Sequence, residues 1–156
     1  MTKRITTAQL EKYLWGAADL LRGSIDAGEY KSYIFPLLFL KRLSDVYDEE
    51  TNRALVESSG DKAYASRPEQ HRFVLSKKAH WSKLVSTPKD IGSAIMAAMR
   101  DVERSNPRLE SIFGDAAWTN KNRLRDSTLK DLLSHFSMLT LSLETVPEDE
   151  MGFAYE

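Results

Sequence analysis

Eight consecutive uncharged residues, Tyr33-Ile-Phe-Pro-Leu-Leu-Phe-Leu40, constrain the fold more than any other stretch of the chain. At a helical period these side chains point in every direction, and a helix that is apolar on all sides is buried on all sides. Charge returns with Lys41, Arg42, Asp45 and Asp48, and the apolar positions narrow to one stripe. We therefore expect a long helix whose first half is the centre of a helical domain and whose second half runs out towards solvent.

Turn-forming residues indicate where this central helix begins and ends. We place its start near Glu29-Tyr30 and its end between Val56 and Ser59, before Gly60. Pro36 lies inside the pattern and removes one backbone hydrogen bond, which predicts a kink or a break within the first turns. The charged exit at 41–48 is the part of the helix that we expect to face any partner.

Caps and apolar periodicity predict the other helices. Thr6-Thr-Ala-Gln9 has the spacing of a capping box, and a strong amphipathic pattern follows it. Thr87-Pro-Lys-Asp90 predicts another helix start, with a threonine cap and a proline at the first helical position. Asn106-Pro107 is predicted to stop that helix and, as a cap followed by proline, to begin a short helical piece. Ser127 is predicted to cap a later helix, and Pro147 to open a last one.

Between residues 60 and 88 the periodicity fades, which predicts a loop. We expect one short extended piece at Phe73-Val74-Leu75 and a short helix that turns the apolar side chains of Trp81, Leu84 and Val85 inward. Taken together, these elements predict an all-α fold, a compact helical domain of five to seven helices around a central buried helix.

Composition limits the class of protein. A chain of 156 residues with 42% hydrophobic content is long enough for one domain with a buried core, and we treat 1–156 as a single helical domain. The net charge of −1 gives no bulk argument for a nucleic-acid partner. The absence of cysteine excludes disulfide frameworks and Cys-ligated zinc, and it fits a cytoplasmic location. No uncharged run approaches the roughly 20 residues that span a bilayer, so no membrane partner is expected.

Motifs that carry chemistry are missing from the sequence. The seven glycines are scattered without a G-x-G pair, and no G-x-S-x-G motif occurs. His71 and His80 lie nine residues apart without a nearby carboxylate, which is not the spacing of metal ligands. We therefore predict no catalytic residue and no metal site in this chain.

Charge is unevenly distributed along the chain. Basic residues concentrate at 72–89 and 121–130, and acidic residues at 45–57 and 144–156. If the two basic segments meet in space, they form a patch that can contact several phosphates. The alternative is an ordinary solvated surface, which the near-neutral total charge favours. The candidates for DNA contact are Lys121, Arg123 and Arg125, ahead of the charged exit of the central helix.

Trp15, Asp19 and Arg22 share the side of the first helix that faces away from its apolar stripe. Large aromatic side chains are usually buried at least in part, so we expect a neighbouring segment to cover part of Trp15. The alternative is a contact surface for another domain or subunit, for which Trp15 and Arg22 are the candidates.

Two runs near the start resemble a known family. They are Leu14-Trp15-Gly-Ala-Ala-Asp19-Leu-Leu-Arg22-Gly23, and Glu29-Tyr30-Lys31 with Leu37-Leu-Phe-Leu-Lys-Arg-Leu-Ser-Asp45. Both are similar to the N-terminal helical domain of the modification (methyltransferase) subunit of type I restriction–modification systems. The order and spacing of several later residues add to the resemblance: Trp81, Ala98-Met99, Glu103, Asn106-Pro107, Phe113 and Met151-Gly-Phe-Ala-Tyr-Glu156.

The resemblance implies a DNA methyltransferase subunit that methylates adenine N6 with S-adenosylmethionine. In the family, a catalytic domain that binds this cofactor follows the Tyr155-Glu156 segment, so the chain itself would hold neither cofactor nor catalytic motif. Asn106-Pro107 shares only two residues with the Asn-Pro-Pro-aromatic motif of such enzymes. The implied partners are a specificity subunit, a second modification subunit, a restriction subunit and double-stranded DNA.

Three functions remain open for the helical domain itself. It could help to clamp DNA and assemble with the specificity subunit, or it could be a pure assembly module without DNA contact. It could also be a free-standing regulator that uses the same fold.

Overall fold

The computed structural model describes residues 4–146, and all of the regular secondary structure in that range is helical. The predicted helix at Pro147 and the acidic tail lie outside the described residues. Short 3-10 turns occur at 27–29, 68–70 and 107–109. The six α-helices confirm the predicted all-α domain of five to seven helices; they are α1 (Thr7–Leu21), α2 (Tyr30–Glu57), α3 (Lys62–Ala65), α4 (Trp81–Val85), α5 (Ile91–Ser105) and α6 (Asp126–Phe136). Within residues 4–146, no helix is long and apolar enough to cross a membrane.

Helix α2 is the centre of the domain, as the uncharged run predicts. It packs against α1, α3, α4 and α6, and Leu37, Leu38 and Leu40 have no solvent exposure. Phe35 and Phe39 are only partly buried, so one flank of the first half remains open. The central position of α2 follows from the apolar run, because a helix that is apolar on all sides needs neighbours on all sides.

The predicted break at Pro36 does not occur, since α2 is continuous from Tyr30 to Glu57. A proline at this position leaves the carbonyl of Ser32 without its helical donor. Ser32 is exposed, so water can satisfy that carbonyl and the helix continues through the proline.

Most of the charged exit of α2 at 41–48 is covered, which corrects the prediction that it faces solvent; only the last turns, with Arg53, Val56 and Glu57, are exposed as predicted for the second half. Lys41 and Arg42 are 5% and 9% exposed. The Arg42 guanidinium donates to three backbone carbonyls of the segment that follows α6. Asp48 is the exposed member of the exit, where it accepts a hydrogen bond from the His80 ring. The prediction was wrong because a distant segment covers this stretch, and spacing along one helix does not show distant coverage.

Helix α1 begins with the predicted capping box, in which the Thr6 and Gln9 side chains each accept the other's backbone N–H. It is fastened to α6 by a reciprocal pair of bonds. The Tyr13 hydroxyl donates to the Phe136 carbonyl at 2.6 Å, and the His135 ring donates to the Tyr13 carbonyl at 2.6 Å. These bonds fix α1 and α6 side by side.

The predicted starts of α5 and α6 were both wrong. Helix α5 begins at Ile91, after Asp90 in the left-handed conformation with φ of 53°. Asp126, the first residue of α6, accepts the backbone N–H of Asp90 at 3.0 Å and of Ile91 at 3.1 Å. A carboxylate from another helix therefore caps α5, which leaves Thr87-Pro88 outside it. Ser127 lies inside α6 and does not cap it.

Asn106 ends α5 as predicted, but its side chain does not cap the following turn. Its amide oxygen accepts the backbone N–H of Val74 at 2.7 Å, and its amide nitrogen donates to the Val74 carbonyl at 2.8 Å. The predicted extended piece at 73–75 is therefore not part of a sheet. The backbone groups of Val74 bond to the Asn106 side chain, where in a sheet they would bond to a neighbouring strand.

Candidate nucleic-acid and partner interfaces

The three predicted DNA-contact residues lie in the loop between α5 and α6, which a buried tryptophan anchors. Trp118 is 1% exposed, and its ring meets the edge of Tyr33 with centroids 4.9 Å apart. The Trp118 carbonyl lies so close to Gly92 that a Cβ there would be 1.9 Å from the oxygen. Leu124 is also buried. The loop is thus held at both ends of its polar section by packing.

Lys121 is paired with Asp90, the residue that precedes α5. The hydrogen bond and the charge of Asp90 raise the pKa of Lys121, and those of Lys121 lower the pKa of Asp90. Both side chains are exposed to solvent, so the pair contributes little to stability. Its effect is electrostatic, because Asp90 neutralises one of the three predicted cations.

Arg123 is paired with Glu29 at the start of α2, with 2.5 Å between Nη2 and Oε2. The hydrogen bond and charge of Glu29 raise the pKa of Arg123. This pair stands at the edge of an open groove of about 590 Å³, which Phe35 and Ile112 also line. Arg123 is half-buried and faces the α2 side of the loop, where its charge is also largely neutralised.

Arg125 differs from the other two cations. It is exposed, and no ion pair to it is found among residues 4–146. It occupies the position directly before α6, next to the Asp126 carboxylate that caps α5. Of the three candidates, Arg125 has the charge that a phosphate could approach with least competition.

The two basic segments meet at one point of the surface. The first segment ends at Lys89-Asp90, and Asp90 is joined to Lys121 by an ion pair and to Asp126 by a backbone hydrogen bond. Lys77, Lys78 and Lys83 are exposed as well, on or before α4, which packs against α5 and α6. Arg72 lies elsewhere, because its backbone N–H donates to Glu50 of α2. We call the cations Lys89, Lys121 and Arg125 around Asp90 and Asp126 the basic joint.

Trp15 is 71% exposed, which contradicts the prediction that a neighbouring segment covers part of it. The ring escapes coverage because α6 packs against the other side of α1, where a Cβ at Gly16 would lie 2.6 Å from the His135 ring. Met138, three residues beyond His135, is 73% exposed. Arg22 is also exposed and pairs with Asp19 at 3.0 Å.

The histidines have structural partners and do not approach one another as metal ligands would. The His71 ring stacks on Tyr47 with centroids 3.8 Å apart and donates to the Ala65 carbonyl at 2.8 Å. His80 accepts the Ser82 backbone N–H and so caps α4. Within the described residues no three His, Cys, Asp or Glu side chains group as metal ligands would.

Sequence reasoning missed the acidic partners of the candidates. Asp90, Glu29 and Asp126 lie 31, 94 and 35 residues from the groups that they bind. The unusual Trp118 within a polar segment was the available signal that this loop is anchored. No local pattern indicated which acid would meet which cation.

Comparison with known proteins gives a consistent result. Residues 10–136 match the family described as the HsdM N-terminal domain. The fold is similar to that of a type I restriction–modification methyltransferase subunit from Streptococcus thermophilus, with a TM-score of 0.71 and 22% sequence identity. The similarity covers 96% of this chain and 37% of that one, so this chain spans little more than a third of the solved subunit. No curated protein matches the chain.

Proposed function

The chain belongs to the HsdM N-terminal domain family, the helical domain of type I restriction–modification methyltransferase subunits, and from this we propose that it helps to clamp duplex DNA. In this proposal the domain performs no chemistry. The parent protein transfers a methyl group to adenine N6 in a site that a specificity subunit selects, and its restriction partner cuts unmodified DNA. The proposed location is therefore the cytoplasm.

The observation that supports DNA contact is the exposed Arg125 in the basic joint. Lys89 and Lys121 adjoin it because Asp126 and Asp90 hold the starts of α5 and α6 together. Phosphate contacts need cations in a fixed place and do not need base-reading side chains. The packed Trp118 anchor supports this fixed placement. Since Asp90 is paired with Lys121 and Asp126 adds a second negative charge nearby, binding by the domain alone is expected to be weak and sensitive to salt.

The test is charge reversal in the assembled complex. Lys121→Glu, Arg123→Glu and Arg125→Glu together should weaken DNA binding and reduce the slope of log affinity against log salt by about one for each phosphate that is no longer bound. The matched control is Lys12→Glu, Arg53→Glu and Lys62→Glu, which makes the same charge change at exposed sites of α1, α2 and α3. Equal affinity and slope in the two variants would rule out DNA contact by this loop.

S-adenosylmethionine is proposed as the cofactor of the parent protein and not of this domain. Its binding in α/β enzymes uses a glycine-rich turn that brings backbone close to the ligand. In residues 4–146 the glycines with positive φ, Gly23, Gly60 and Gly114, lie in three separate turns, so they do not form such a loop. We propose that the cofactor is held by a catalytic domain after residue 156, as the resemblance implies.

Assembly is the second candidate function, and the exposure of Trp15 favours it. A tryptophan that is 71% exposed offers a large apolar surface to a partner, and tryptophans are enriched among the residues that anchor protein interfaces. The proposed partners of the Trp15 and Arg22 surface are the specificity subunit or a second modification subunit. This candidate is compatible with DNA clamping, because the two surfaces are on different elements.

Co-purification separates the two candidates. Trp15→Ala should reduce recovery of the partner subunits and leave the DNA affinity of pre-formed complex unchanged. Val56→Ala is the control, since Val56 is 81% exposed and also lies on a helix. Normal recovery with Trp15→Ala would remove Trp15 from the interface.

Reading the gene beyond codon 156 tests the third possibility, because a continuing frame with a glycine-rich cofactor motif excludes a free-standing regulator.

A further inference from the structure

The segment after α6, residues 139–146, contains no helix or strand, and cations of α2 bind its carbonyl groups. Lys41 Nζ donates to the Leu139 carbonyl at 3.0 Å. Arg42 Nη1 donates to the carbonyls of Leu141, Ser142 and Val146 at 2.8, 2.8 and 2.6 Å. Two buried cations of adjacent residues therefore contact the segment from its start to its end.

Anions of the same helix bind the amide groups of the segment. Asp45 accepts the backbone N–H of Leu141 at 2.7 Å. The two carboxylate oxygens of Glu49 accept the backbone N–H groups of Leu143 and Glu144, each at 3.0 Å. Asp45 also pairs with Lys41, so the two halves of this arrangement are joined. Residues 41, 42, 45 and 49 lie on one side of α2, and all four side chains face the segment.

We propose that these four side chains fix the direction in which the chain leaves the domain at Val146. We call Lys41, Arg42, Asp45 and Glu49 together the α2 grip. Apolar burial alone would leave the segment free to slide, because hydrophobic contacts are not directional. Hydrogen bonds from charged groups depend on position, so a shift of the segment by one residue would break them together. The α2 grip thus sets both the register and the direction of the segment.

Two observations support this role of the α2 grip. The backbone N–H of Ile5 donates to the Thr145 carbonyl at 2.8 Å, so residues before α1 are fastened to the same segment. Leu141 and Val146 are fully buried and the three Arg42 bonds are buried with them, whereas the Glu49 bonds lie nearer the surface. Both ends of the described chain, residues 4–146, are therefore fastened to α2 through this segment. This inference is independent of DNA binding and of partner assembly.

Amide hydrogen exchange tests whether the α2 grip holds residues 139–146 in place. In the wild type, the amides of Leu141, Leu143 and Glu144 should exchange slowly despite their position in a loop. Arg42→Met should accelerate their exchange by roughly tenfold to a hundredfold, the effect expected when hydrogen bonds to charged groups are removed. Amides of the apolar half of α2 should change much less. Equal acceleration throughout the domain, or no acceleration in the segment, would overturn the proposal.

A second variant keeps the test decisive if Arg42→Met does not fold. Glu49→Ala removes a half-buried carboxylate and should accelerate exchange at Leu143 and Glu144 first. The controls are Arg53→Met and Glu57→Ala, which remove exposed charges from the same helix and should leave the segment protected. A control that accelerates the segment as much as its partner variant would also overturn the proposal.

The position of the segment can be measured separately, since the chain has no cysteine of its own. Spin labels on Lys31→Cys and Glu144→Cys, both at exposed sites, report the distance from the start of α2 to the exit segment. The distance distribution should be narrow in the wild type and clearly broader with Arg42→Met. A distribution of unchanged width would show that the α2 grip does not fix the position of the segment, and the proposal that it sets the direction would fail with it.

Discussion

The domain has two groups of cations, and their surroundings are opposite. Lys41 and Arg42 lie in the interior and bind carbonyl groups of their own chain. Lys121 and Arg125 lie on the surface of a loop, where Lys121 meets an exposed acid. In the sequence, Lys41 and Arg42 follow an apolar stretch, and Lys121 and Arg125 lie in a polar connection. Nothing in either context shows which pair is buried.

The difference teaches that local charge density does not distinguish a structural cation from one that can meet a partner. A buried guanidinium stabilises the fold only while its acceptors remain in place, because an unpaired buried charge is costly. An exposed cation contributes little to stability and remains available for exchange with another anion. The free energy of unfolding should therefore respond to the first group, and binding should respond to the second.

The largest expected effect is that of Arg42→Met. The change removes the Arg42 donor from three buried carbonyls, of which that of Ser142 still accepts the Val146 N–H, so we expect the free energy of unfolding to fall by about 2–5 kcal/mol. Arg53→Met on the exposed side of α2 should change it by less than about 0.5 kcal/mol. Urea unfolding followed by circular dichroism measures both. Similar decreases in the two variants would contradict the contrast between buried and exposed cations.

The next largest effect on stability is expected for Gly92→Ala, which tests whether packing holds the loop between α5 and α6 in place. The added Cβ would lie 1.9 Å from the Trp118 carbonyl, so the loop must shift and the unfolding free energy should fall by about 1–3 kcal/mol. Gly28→Ala is the control, because a Cβ there meets nothing within 4 Å. If both variants keep wild-type stability in urea, then the Trp118 anchor is not tight and the fixed position of the basic loop is in doubt.

Tyr13→Phe should cost about 1–2 kcal/mol by removing the bond to the Phe136 carbonyl. Burial, and then the charge of Asp45, raises the pKa of Tyr13 above its ordinary value of 10.0. The unfolded chain ionises first, so the contribution of Tyr13 to stability should be constant below that pH and be lost as pH rises above it. Tyr13→Phe should show a shallower fall, which unfolding in urea at a series of alkaline pH values would detect. An equally steep fall in the variant would exclude Tyr13 as the cause.

The smallest effect on stability, and the sharpest on binding, is expected for Asp90→Asn. Asparagine also adopts the left-handed conformation, so the fold should be retained. The change frees Lys121, and the assembled complex should bind DNA more tightly, with a salt slope steeper by up to about one. Fluorescence anisotropy at several salt concentrations measures this. Asp19→Asn, which frees Arg22 on α1, should leave the slope unchanged. Unchanged affinity in Asp90→Asn would mean that Lys121 does not meet phosphate.

Much of the fold was predictable because it depends on local patterns. The apolar run at 33–40 predicted the central helix, and the capping box at Thr6 predicted the start of α1. The starts of α5 and α6 were not predictable in the same way. Thr87 and Ser127 are residue types that often cap helices, but neither of them is a cap here. Helix α5 is capped by the carboxylate of Asp126, which lies 35 residues from Ile91.

The sequence predicted where the candidate surfaces lie, but it did not predict the ion pairs and the exposure of their side chains. Sequence reasoning named Lys121, Arg123, Arg125, Trp15 and Arg22, and all five are at least partly exposed. It did not show that Asp90 and Glu29 neutralise two of them, and it expected a covered Trp15. Whether these residues contact DNA or partner subunits remains a prediction.

By itself the sequence determined the number of long helices and the family, because apolar period and motif order are properties of neighbouring residues. The tertiary structure alone decided what the charged half of α2 does. Arg42 and Glu49 are ordinary helix-surface residues by their spacing, and the acceptors and donors that they meet lie about a hundred positions further on. A charge buried against distant backbone leaves no local pattern, since its partners are peptide groups that every residue carries.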